Sequence, residues 1–325
     1  MDSKLKEFDV PILFLVFNRP EKTRKVFTVL QKLKPQKLYV AADAPRKHNT
    51  NDNIQCKEVL KIFEEIDWDC DLKMLKHTSN MGCSLAGKKA WDWFFEFEEE
   101  MIFLEDDGVP SLSFFFFCKE LLIKYRNCNR IGYIGGTNYD FSYSEESYFF
   151  SRHGCGTYGM ATWKRVYKLY EYKLESYNVQ KYSMKFISSF SSFWEFIRRY
   201  RQFSRYYKWG GNTYDLQIAY MMYKYNMLWV VPNTNMISNI GFDEQASNFH
   251  GNKDDLVAKI YGNRRINDIY DITHPTYIYW NKLLDKRYFL KRYFPYLKKQ
   301  DALLLIISPK LFKLKNFFLN IVKNK

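Results

Sequence analysis

Three adjacent carboxylates, Glu105, Asp106 and Asp107, follow the apolar run Met101–Leu104. Adjacent acids repel one another, and burying them is costly unless a cation offsets their charge. A divalent metal that bridges a diphosphate would provide that charge, and hard oxygen ligands favour Mg²⁺ or Mn²⁺. A solvated acidic turn is the alternative interpretation of such a triplet. Its place in the fold has to decide between the two.

Short apolar runs alternate with segments of helical period between residues 10 and 136, which is typical of a parallel sheet built from βαβ units. Strands are predicted at Val10–Phe17, Lys37–Ala42, Asp71–Lys76, Met101–Glu105, Arg130–Ile134 and Met227–Val231. Helices are predicted at Glu21–Leu33, Asp52–Ile66, Ser84–Phe97 and Ser113–Arg126, then from Thr162, near Phe193–Phe203 and over Thr213–Tyr225. The expected fold is therefore α/β, with a Rossmann-like, mostly parallel central sheet flanked by helices.

Polar residues fall where the first strands end, and in an open parallel sheet those ends line the ligand crevice. They are Asn18 and Arg19 after the first strand, Asp43 after the second, Asn80 and Gly82 after the third, and the acidic triplet at the end of the fourth. Arg19 is equally compatible with a surface cation at the start of a helix. Asn80 and Gly82 are equally compatible with a simple turn after the third strand. Neither of the glycine-rich phosphate motifs, G-x-G-x-x-G and G-x-x-x-x-G-K-[ST], follows the first strand, which argues against a dinucleotide or P-loop enzyme.

Several segments, in order, resemble those of bacterial nucleotide-diphospho-sugar glycosyltransferases of the GT-A fold, in the group whose acidic motif is similar to that of N-acetylglucosaminyltransferase I. The matching segments are Pro11–Pro20, Ala42–Arg46, Asn80–Cys83, Phe103–Asp107 with Pro110 and Phe114–Cys118, Gly159–Trp163 and Pro232–Gly241. They span roughly residues 10 to 250. The resemblance is specific for the superfamily and much weaker for the substrate.

The resemblance implies a UDP-sugar donor and a DxD-like metal motif. By this resemblance Asn18 and Arg19 would contribute to the nucleotide pocket, with Asn80 beside them, and Asp43 would contact the uracil edge. Asp106 would contact the ribose, and Asp107 would hold Mn²⁺ or Mg²⁺ on the diphosphate. Glu105 would face the donor sugar or its neighbouring backbone. These roles agree with elementary chemistry, since carboxylates accept hydrogen bonds from ribose hydroxyls and a metal neutralises a leaving diphosphate.

Inverting sugar transfer needs a general base on the acceptor side, and Asp215 is the predicted base. It follows Gly210 and Gly211 at the start of a predicted helix, where the resembling family places a carboxylate with this role. The alternative is an Asp that is simply favoured at a helix N-terminus. Retaining chemistry stays open.

A third metal ligand is less well indicated. The resembling family has a histidine soon after a Gly-Phe-Gly segment, whereas this chain has Gly241-Phe-Asp and places Asn248 at that position. His250 lies two residues further on. We predict it as a metal ligand, with a surface histidine as the alternative.

Charge is concentrated at the C-terminal end of the chain. The net charge is +14, and residues 281–325 contribute twelve Lys or Arg and two Asp, which is +10. About +4 remains on the first 280 residues, so no nucleic-acid groove is indicated. Residues 310–325 space apolar side chains along one helical face, which predicts an interfacial helix on anionic lipid or a helix packed on its own domain.

Organisation and location follow from these patterns. We predict a catalytic domain at residues 1–250, with a nucleotide-binding half at 10–136 and an acceptor-binding half at 137–250, and a helical, basic extension at 251–325. No apolar run reaches a membrane-spanning length, no signal peptide is seen, and no cysteine spacing fits zinc. A cytoplasmic protein is expected, peripheral on the inner face of the membrane.

The sequence thus predicts a metal-dependent glycosyltransferase that moves a sugar from a UDP-sugar to a glycan or a lipid-linked glycan. Two other classes remain open. A nucleotidyltransferase shares the architecture but would use a glycine-rich, basic first loop that this chain lacks. A noncatalytic glycan-binding or nucleic-acid-binding protein would not need both Asp107 and Asp215.

Overall fold

The computed structural model describes residues 8–139, 145–242 and 256–293. The chain forms two compact units, Met1–Trp280 and Asn281–Lys325. The sheets and the predicted site residues that the structure describes belong to the first unit, and the second contains one described helix. The predicted domain boundary at residue 250 stays a prediction.

The first unit is built on a sheet of eight strands with helices on its faces, and a separate ribbon of two strands accompanies it. The strands are β1 (Ile12–Val16), β2 (Lys37–Ala42), β3 (Asp71–Lys76), β4 (Glu100–Glu105), β5 (Gly108–Pro110), β6 (Ile131–Gly135), β7 (Tyr148–Ser151), β8 (Gly159–Trp163), β9 (Leu228–Pro232) and β10 (Ile237–Asn239). The large sheet has the order β3-β2-β1-β4-β8-β6-β9-β7, and β5 pairs with β10. The predicted α/β fold with a mostly parallel central sheet is confirmed.

The helices connect and cover these strands. They are α1 (Pro20–Leu33), α2 (Thr50–Ile62), α3 (Gly82–Phe97), α4 (Leu112–Tyr125), α5 (Lys164–Tyr167), α6 (Tyr177–Gln180), α7 (Met184–Ser188), α8 (Phe193–Trp209), α9 (Asp215–Lys224), α10 (Leu256–Tyr261) and α11 (Lys282–Tyr293). A short 3₁₀ helix, Phe63–Glu65, follows α2. None of the helices in the described ranges is both long enough and apolar enough to cross a membrane.

The parallel half of the sheet positions the candidate site. Strands β1, β2 and β3 pair in parallel, and β4 lies parallel to β1 on its other side. These strands are largely apolar, and the central ones are buried, as expected for a sheet covered on both faces. Their carboxyl ends therefore meet at one edge, where the polar residues that follow β1, β2 and β4 are brought together.

The second half of the sheet contains antiparallel strands that the sequence pattern did not predict. Strand β8 lies between β4 and β6 and is antiparallel to both, and β7 is antiparallel to β9. The helix predicted to begin at Thr162 begins two residues later in the structure. Thr162 belongs to β8, and α5 begins at Lys164. Strand β8 is fully buried despite its glycine and alanine, so pairing with its neighbours determines its conformation more than propensity does.

An aromatic cluster holds the helices that follow β8. Its buried members include Tyr177 of α6, Phe203 of α8 and Tyr220 of α9, whose rings meet at centroid distances of 5.5–6.0 Å. Such pairs add about 0.5–1.5 kcal/mol each beyond the apolar area they bury. The cluster fixes α8 and α9 against each other, and the loop between these two helices leads into the candidate site.

Candidate active site

An ion-paired arginine lies at the centre of the candidate site. Arg19, directly before α1, donates from Nε and Nη2 to the two carboxylate oxygens of Asp106, at 3.1 and 2.5 Å, and from Nη1 to Asp107 Oδ2 at 2.8 Å. All three side chains are largely buried, with Arg19 13% exposed. Two parallel N–H···O bonds to one carboxylate give this pair a fixed geometry. The acidic triplet is therefore not a solvated turn.

The charges of the triplet interact strongly. Burial raises the pKa of Asp106 to about 6, although the nearby charge of Arg19 opposes the shift. Burial and the charge of Asp107 hold the pKa of Glu105 well above its ordinary value. Burial alone lowers the pKa of Arg19, but Asp106 and Asp107 outweigh it, so the guanidinium stays charged. Burial thus disfavours the charged forms of Glu105 and Asp106, and a further cation at this point would favour those charged forms.

One oxygen of Asp107 is available to a ligand. Within the described part of the chain, nothing donates a hydrogen bond to the buried Asp107 Oδ1. The backbone N–H of Ile240 donates to the Asp107 carbonyl at 2.8 Å, and a side chain at Gly241 would overlap the carboxylate. Residues after β10 therefore form a close wall beside Asp107.

The residues of the candidate site fit a metal ion that is coordinated by one carboxylate of the protein. In residues 8–139, 145–242 and 256–293, no three His, Cys, Asp or Glu side chains converge to hold an ion. Mg²⁺ commonly binds through one or two carboxylates and completes its shell with waters and substrate phosphates. Asp107 Oδ1 could serve as that single ligand. His250, which was also predicted as a metal ligand, lies outside the described residues.

Asp43 organises the loop that follows β3. Its Oδ1 accepts hydrogen bonds from the N–H groups of Ala44 and Met81, both at 2.9 Å, and its Oδ2 accepts from Gly82 N at 2.9 Å and Asn80 Nδ2 at 3.1 Å. The carboxylate is buried. Asp43 and Asn80 are therefore brought together as predicted, but Asp43 is already engaged with backbone donors. Its contact with a uracil edge stays a prediction.

A buried aspartate that the sequence analysis missed joins the first two loops. Asp52, fully buried in the first turn of α2, accepts from Asn18 Nδ2 at 2.8 Å and from Arg46 Nε at 2.6 Å. The Arg46 guanidinium lies over the Phe17 ring at 5.6 Å. Asn18 is thus fixed by Asp52 beside the arginine. A signal was present, since Asp52 was placed at a helix start but not considered as a partner for the strand ends.

Asp215 begins α9 and lies on the exposed side of the same site. Thr157 Oγ1 donates to its Oδ1, and its own N–H is bonded to Thr213 Oγ1 at 3.2 Å. The preceding Tyr214 is buried and donates its hydroxyl to Glu105. The charge of Asp215 also contributes to the raised pKa of Glu105, so the two carboxylates are close enough to interact. The structure therefore brings Asp215 to the acidic triplet from a different element.

The loop before α9 lies against the start of α3. Asn212 Oδ1 accepts from the N–H of Ser84 at 3.4 Å, and the Thr213 carbonyl accepts from Ser84 Oγ at 3.1 Å. Gly82 has a φ of +72°, and a side chain there would crowd Asn212. Only glycine adopts this backbone readily. Gly82 thus lets the α8–α9 loop approach the start of α3.

Comparison with known proteins finds similarity only among solved structures, at low sequence identity. No protein-family model matches the chain, and no curated protein matches it in sequence. Among solved structures, 4-diphosphocytidyl-2C-methyl-D-erythritol synthase from Anaerococcus prevotii is 10% identical and matches 55% of this chain and 80% of its own, with a TM-score of 0.33. A cytidylyltransferase from Leptospira borgpetersenii is 11% identical over 50% of this chain and 64% of its own, with a TM-score of 0.31.

A UDP-glucose pyrophosphorylase complexed with UDP-glucose is 10% identical over 44% of this chain and 62% of its own, with a TM-score of 0.26. The three named proteins are nucleotidyltransferases, and none of the three is a glycosyltransferase. At these scores the similarity does not assign a reaction to this chain.

Proposed function

We propose that this chain is a nucleotide-sugar-dependent transferase, and that it moves a sugar from a UDP-sugar to a glycan or a lipid-linked glycan. The observation that carries the proposal is the joint placement of two acidic groups. A buried triplet is tied to Arg19 at the strand ends, and Asp215 approaches it from the start of α9. One group suits the leaving diphosphate and the other suits the incoming hydroxyl.

The nucleotide would bind along the carboxyl ends of β1, β2 and β4. Asn18, held by Asp52, and Asn80, held by Asp43, would offer amide groups to the base and the ribose. Asp106 would accept from the ribose hydroxyls, and Arg19 would reorient part of its hydrogen bonding toward the diphosphate. Glu105 would lie on the sugar side. Carboxylates and amides are the groups that recognise hydroxyl-rich ligands.

A divalent metal, Mn²⁺ or Mg²⁺, would be held by Asp107. The support is its buried Oδ1, which has no hydrogen-bond partner in the described part of the chain. When bound, the metal would neutralise charge on the leaving diphosphate. The protein's own contribution is to fix the Asp107 carboxylate through Arg19 and the Gly241 wall.

Asp215 would act as the general base. It would accept the proton of the acceptor hydroxyl while the acceptor oxygen bonds to the anomeric carbon and the bond to the diphosphate breaks, releasing UDP. Its position near the site surface suits contact with a large acceptor. The Thr157 hydroxyl orients the carboxylate by donating to Oδ1, which leaves Oδ2 for the acceptor.

Nucleotidyl transfer is the second candidate, and one feature favours it. Lys22, in the first turn of α1, is buried and close enough for its charge to act on Asp106, so the first loop and helix provide two cations with Arg19. Two cations suit a nucleoside triphosphate. The first loop, however, has Asn18, Arg19 and Pro20 where a triphosphate cradle would need glycines.

A product assay separates these candidates. The chain with Mn²⁺ is incubated with UDP-glucose, UDP-galactose, UDP-N-acetylglucosamine or UDP-glucuronate, and release of UDP is measured. In parallel it is incubated with UTP or CTP and sugar 1-phosphates, and release of pyrophosphate is measured. UDP release that is lost in Asp107→Asn supports glycosyl transfer. Pyrophosphate release alone supports nucleotidyl transfer, and neither product indicates a binding protein.

Membrane attachment through the C-terminal tail is part of the proposal. The basic segment at residues 310–325 lies outside the described residues, so its charge and apolar spacing alone support it. Deleting residues 281–325 should release the protein from vesicles containing phosphatidylserine while UDP binding is kept. A truncated protein that still sediments with the vesicles would contradict this attachment.

A further inference from the structure

The exposed face of α8 carries a stripe of cations between two tryptophans. The stripe consists of Trp194, Arg198, Arg201, Arg205, Lys208 and Trp209. Successive spacings of four, three, four, three and one residues place these side chains on one side of the helix. The arginines and the lysine are exposed, Trp194 is partly exposed, and Trp209 is 74% exposed. We call this set the α8 stripe.

The opposite face explains why the stripe stays on the surface. Glu195, Arg199, Phe203 and Tyr206 are buried against the rest of the unit. Phe203 and Tyr206 belong to the aromatic cluster that fixes α8. The helix cannot rotate to cover the stripe without exposing this cluster, so the stripe is a constant feature of the surface.

Three of the four cations in the stripe are not neutralised by a carboxylate in the part of the chain that the structure describes. Among the described residues no carboxylate forms an ion pair with Arg201, Arg205 or Lys208. The Lys208 ammonium lies 4.9 Å from the centre of the Trp209 ring. A row of unneutralised cations attracts an anion, and an exposed indole packs well on the C–H face of a sugar. The combination is complementary to a chain of sugars that carries negative groups.

The stripe leads to the candidate base. Gly210 ends α8 with a φ of +69°, and the loop that follows reaches Asn212 beside α3 and then Asp215. Trp194 and Trp209 are 15 residues apart, so the stripe is ~22 Å long at ~1.5 Å per residue. It is narrow and linear, which fits an extended chain better than a flat bilayer.

From this geometry we infer that the α8 stripe binds an anionic glycan and directs its end toward Asp215. The inference rests on the proposed function, and it names the acceptor class as a polysaccharide or oligosaccharide bearing acidic groups. Arginine side chains would pair with those groups, and Trp209 would pack on the sugar nearest the site. The acceptor would thereby be held outside the donor pocket.

The test uses the full chain and two defined probes, hexagalacturonate and a heparin-derived hexasaccharide, with uncharged maltohexaose for comparison. Arg201→Gln, Arg205→Gln and Lys208→Gln are combined in one variant. The matched control combines Lys25→Gln, Lys57→Gln and Lys61→Gln, which removes the same charge from exposed sites on α1 and α2. Binding is measured by calorimetry at low and moderate salt. Trp209→Ala, monitored by intrinsic fluorescence, tests the end of the stripe.

At least one acidic hexasaccharide should bind more tightly than maltohexaose. The stripe variant should weaken this binding about tenfold, as expected when three exposed ion pairs are lost, while the control stays within about twofold. Equal losses in the two variants, or failure of both acidic probes to bind, would overturn the inference. So would stripe-dependent binding to phosphatidylserine vesicles without any oligosaccharide effect, because it would identify a membrane surface.

UDP binding separates this inference from the proposed function. The stripe variant should bind UDP with Mn²⁺ as the wild type does, because its residues lie outside the donor pocket. If the wild type binds neither UDP nor a UDP-sugar, the proposed function fails, and the oligosaccharide result still stands for the α8 stripe. If UDP binds and the oligosaccharides do not, the inference alone is wrong.

Discussion

Arg19 and Asp106 form a two-bond ion pair between residues 87 positions apart in the sequence, with N···O distances of 3.1 and 2.5 Å. The same guanidinium reaches Asp107, so one cation after the end of β1 holds two buried carboxylates after the end of β4. A buried charge that loses its partner is strongly destabilising. The pair therefore links the stability of the fold to the state of the candidate site.

Replacing Arg19 by glutamine should destabilise the protein more than removing an exposed ion pair does. We expect the free energy of unfolding to fall by about 3 kcal/mol, the low end for breaking a buried pair. Urea unfolding measures it, with Arg24→Gln as the control because Arg24 pairs with Glu65 at the surface. Mn²⁺ should recover part of the loss by supplying positive charge. Equal stability of the two variants would contradict this account.

Asp107→Asn should abolish metal-stimulated UDP binding. The substitution keeps the shape of the side chain but removes the charge of the triplet carboxylate that has a buried, unpartnered oxygen among the described residues. Calorimetry with UDP, with and without Mn²⁺, measures the effect. Asp71→Asn, an exposed carboxylate on β3, is the control. Unchanged metal dependence would remove Asp107 from the site.

Asp43→Ala should lower the stability of the protein. It should also weaken the binding of uridine nucleotides more than the binding of free metal ions. The substitution leaves the N–H groups of Met81 and Gly82 without their acceptor, and a buried unsatisfied donor costs about 1–3 kcal/mol. Thermal unfolding and UDP calorimetry measure the two effects. Asn80→Ala removes only one donor and should be milder. Full UDP affinity in a destabilised Asp43→Ala would restrict Asp43 to holding the loop.

Asp215→Asn should separate binding from chemistry. Donor binding should persist, while transfer falls by ~10²–10⁴, the usual contribution of general-base catalysis. Calorimetry measures donor binding, and acceptor-dependent release of UDP measures transfer. Thr157→Val, which removes only the orienting hydroxyl, should have a smaller effect on transfer. A fall of less than about tenfold in a folded Asp215→Asn would be too small for a general base.

Glu195 should make the free energy of unfolding depend on pH at acidic pH. Burial would raise its pKa, but the charge of His153 and hydrogen bonds from Ser191 and Tyr223 outweigh burial, so the pKa lies below its ordinary value of 4.5. A lowered pKa contributes stability that is complete above the ordinary value and is lost as the pH falls through the lower, folded value.

The measurement is urea unfolding of the wild type and Glu195→Gln between pH 3 and 7. The variant should be less stable by about 3 kcal/mol at neutral pH, and the difference should shrink below about pH 4. Glu175→Gln, at an exposed position, should show no such pattern. A difference that is constant with pH would indicate packing rather than charge.

The parallel half of the fold was predictable because its signals are local. Apolar runs and helical periods identified β1 to β4, and the rule that ligand residues follow parallel strands identified Arg19 and the acidic triplet. Which acid pairs with Arg19 was not predictable, since side-chain pairing over 87 residues depends on the exact approach of β1 and β4.

The antiparallel half was less predictable for a related reason. Strands β7 and β8 are four and five residues long, and their partners lie far away in sequence. Short aromatic and glycine-containing segments have no clear period of their own. The hydrogen bonds of Asp43 were not predictable for a similar reason, because four of the five go to residues 80–82 of a distant loop.

The insertion of β8 between β4 and β6 has a consequence for how the chain can be divided. Strand β4 carries the acidic triplet, and one of its two neighbours is supplied only by residues 159–163. A fragment ending at residue 136 would leave β4 as an unprotected edge and would leave β6 without either partner. Exposed edges of apolar strands template aggregation. Expression of residues 10–136 alone should therefore give insoluble protein. Residue 163 must be synthesised before the carboxylates at the end of β4 acquire their final surroundings.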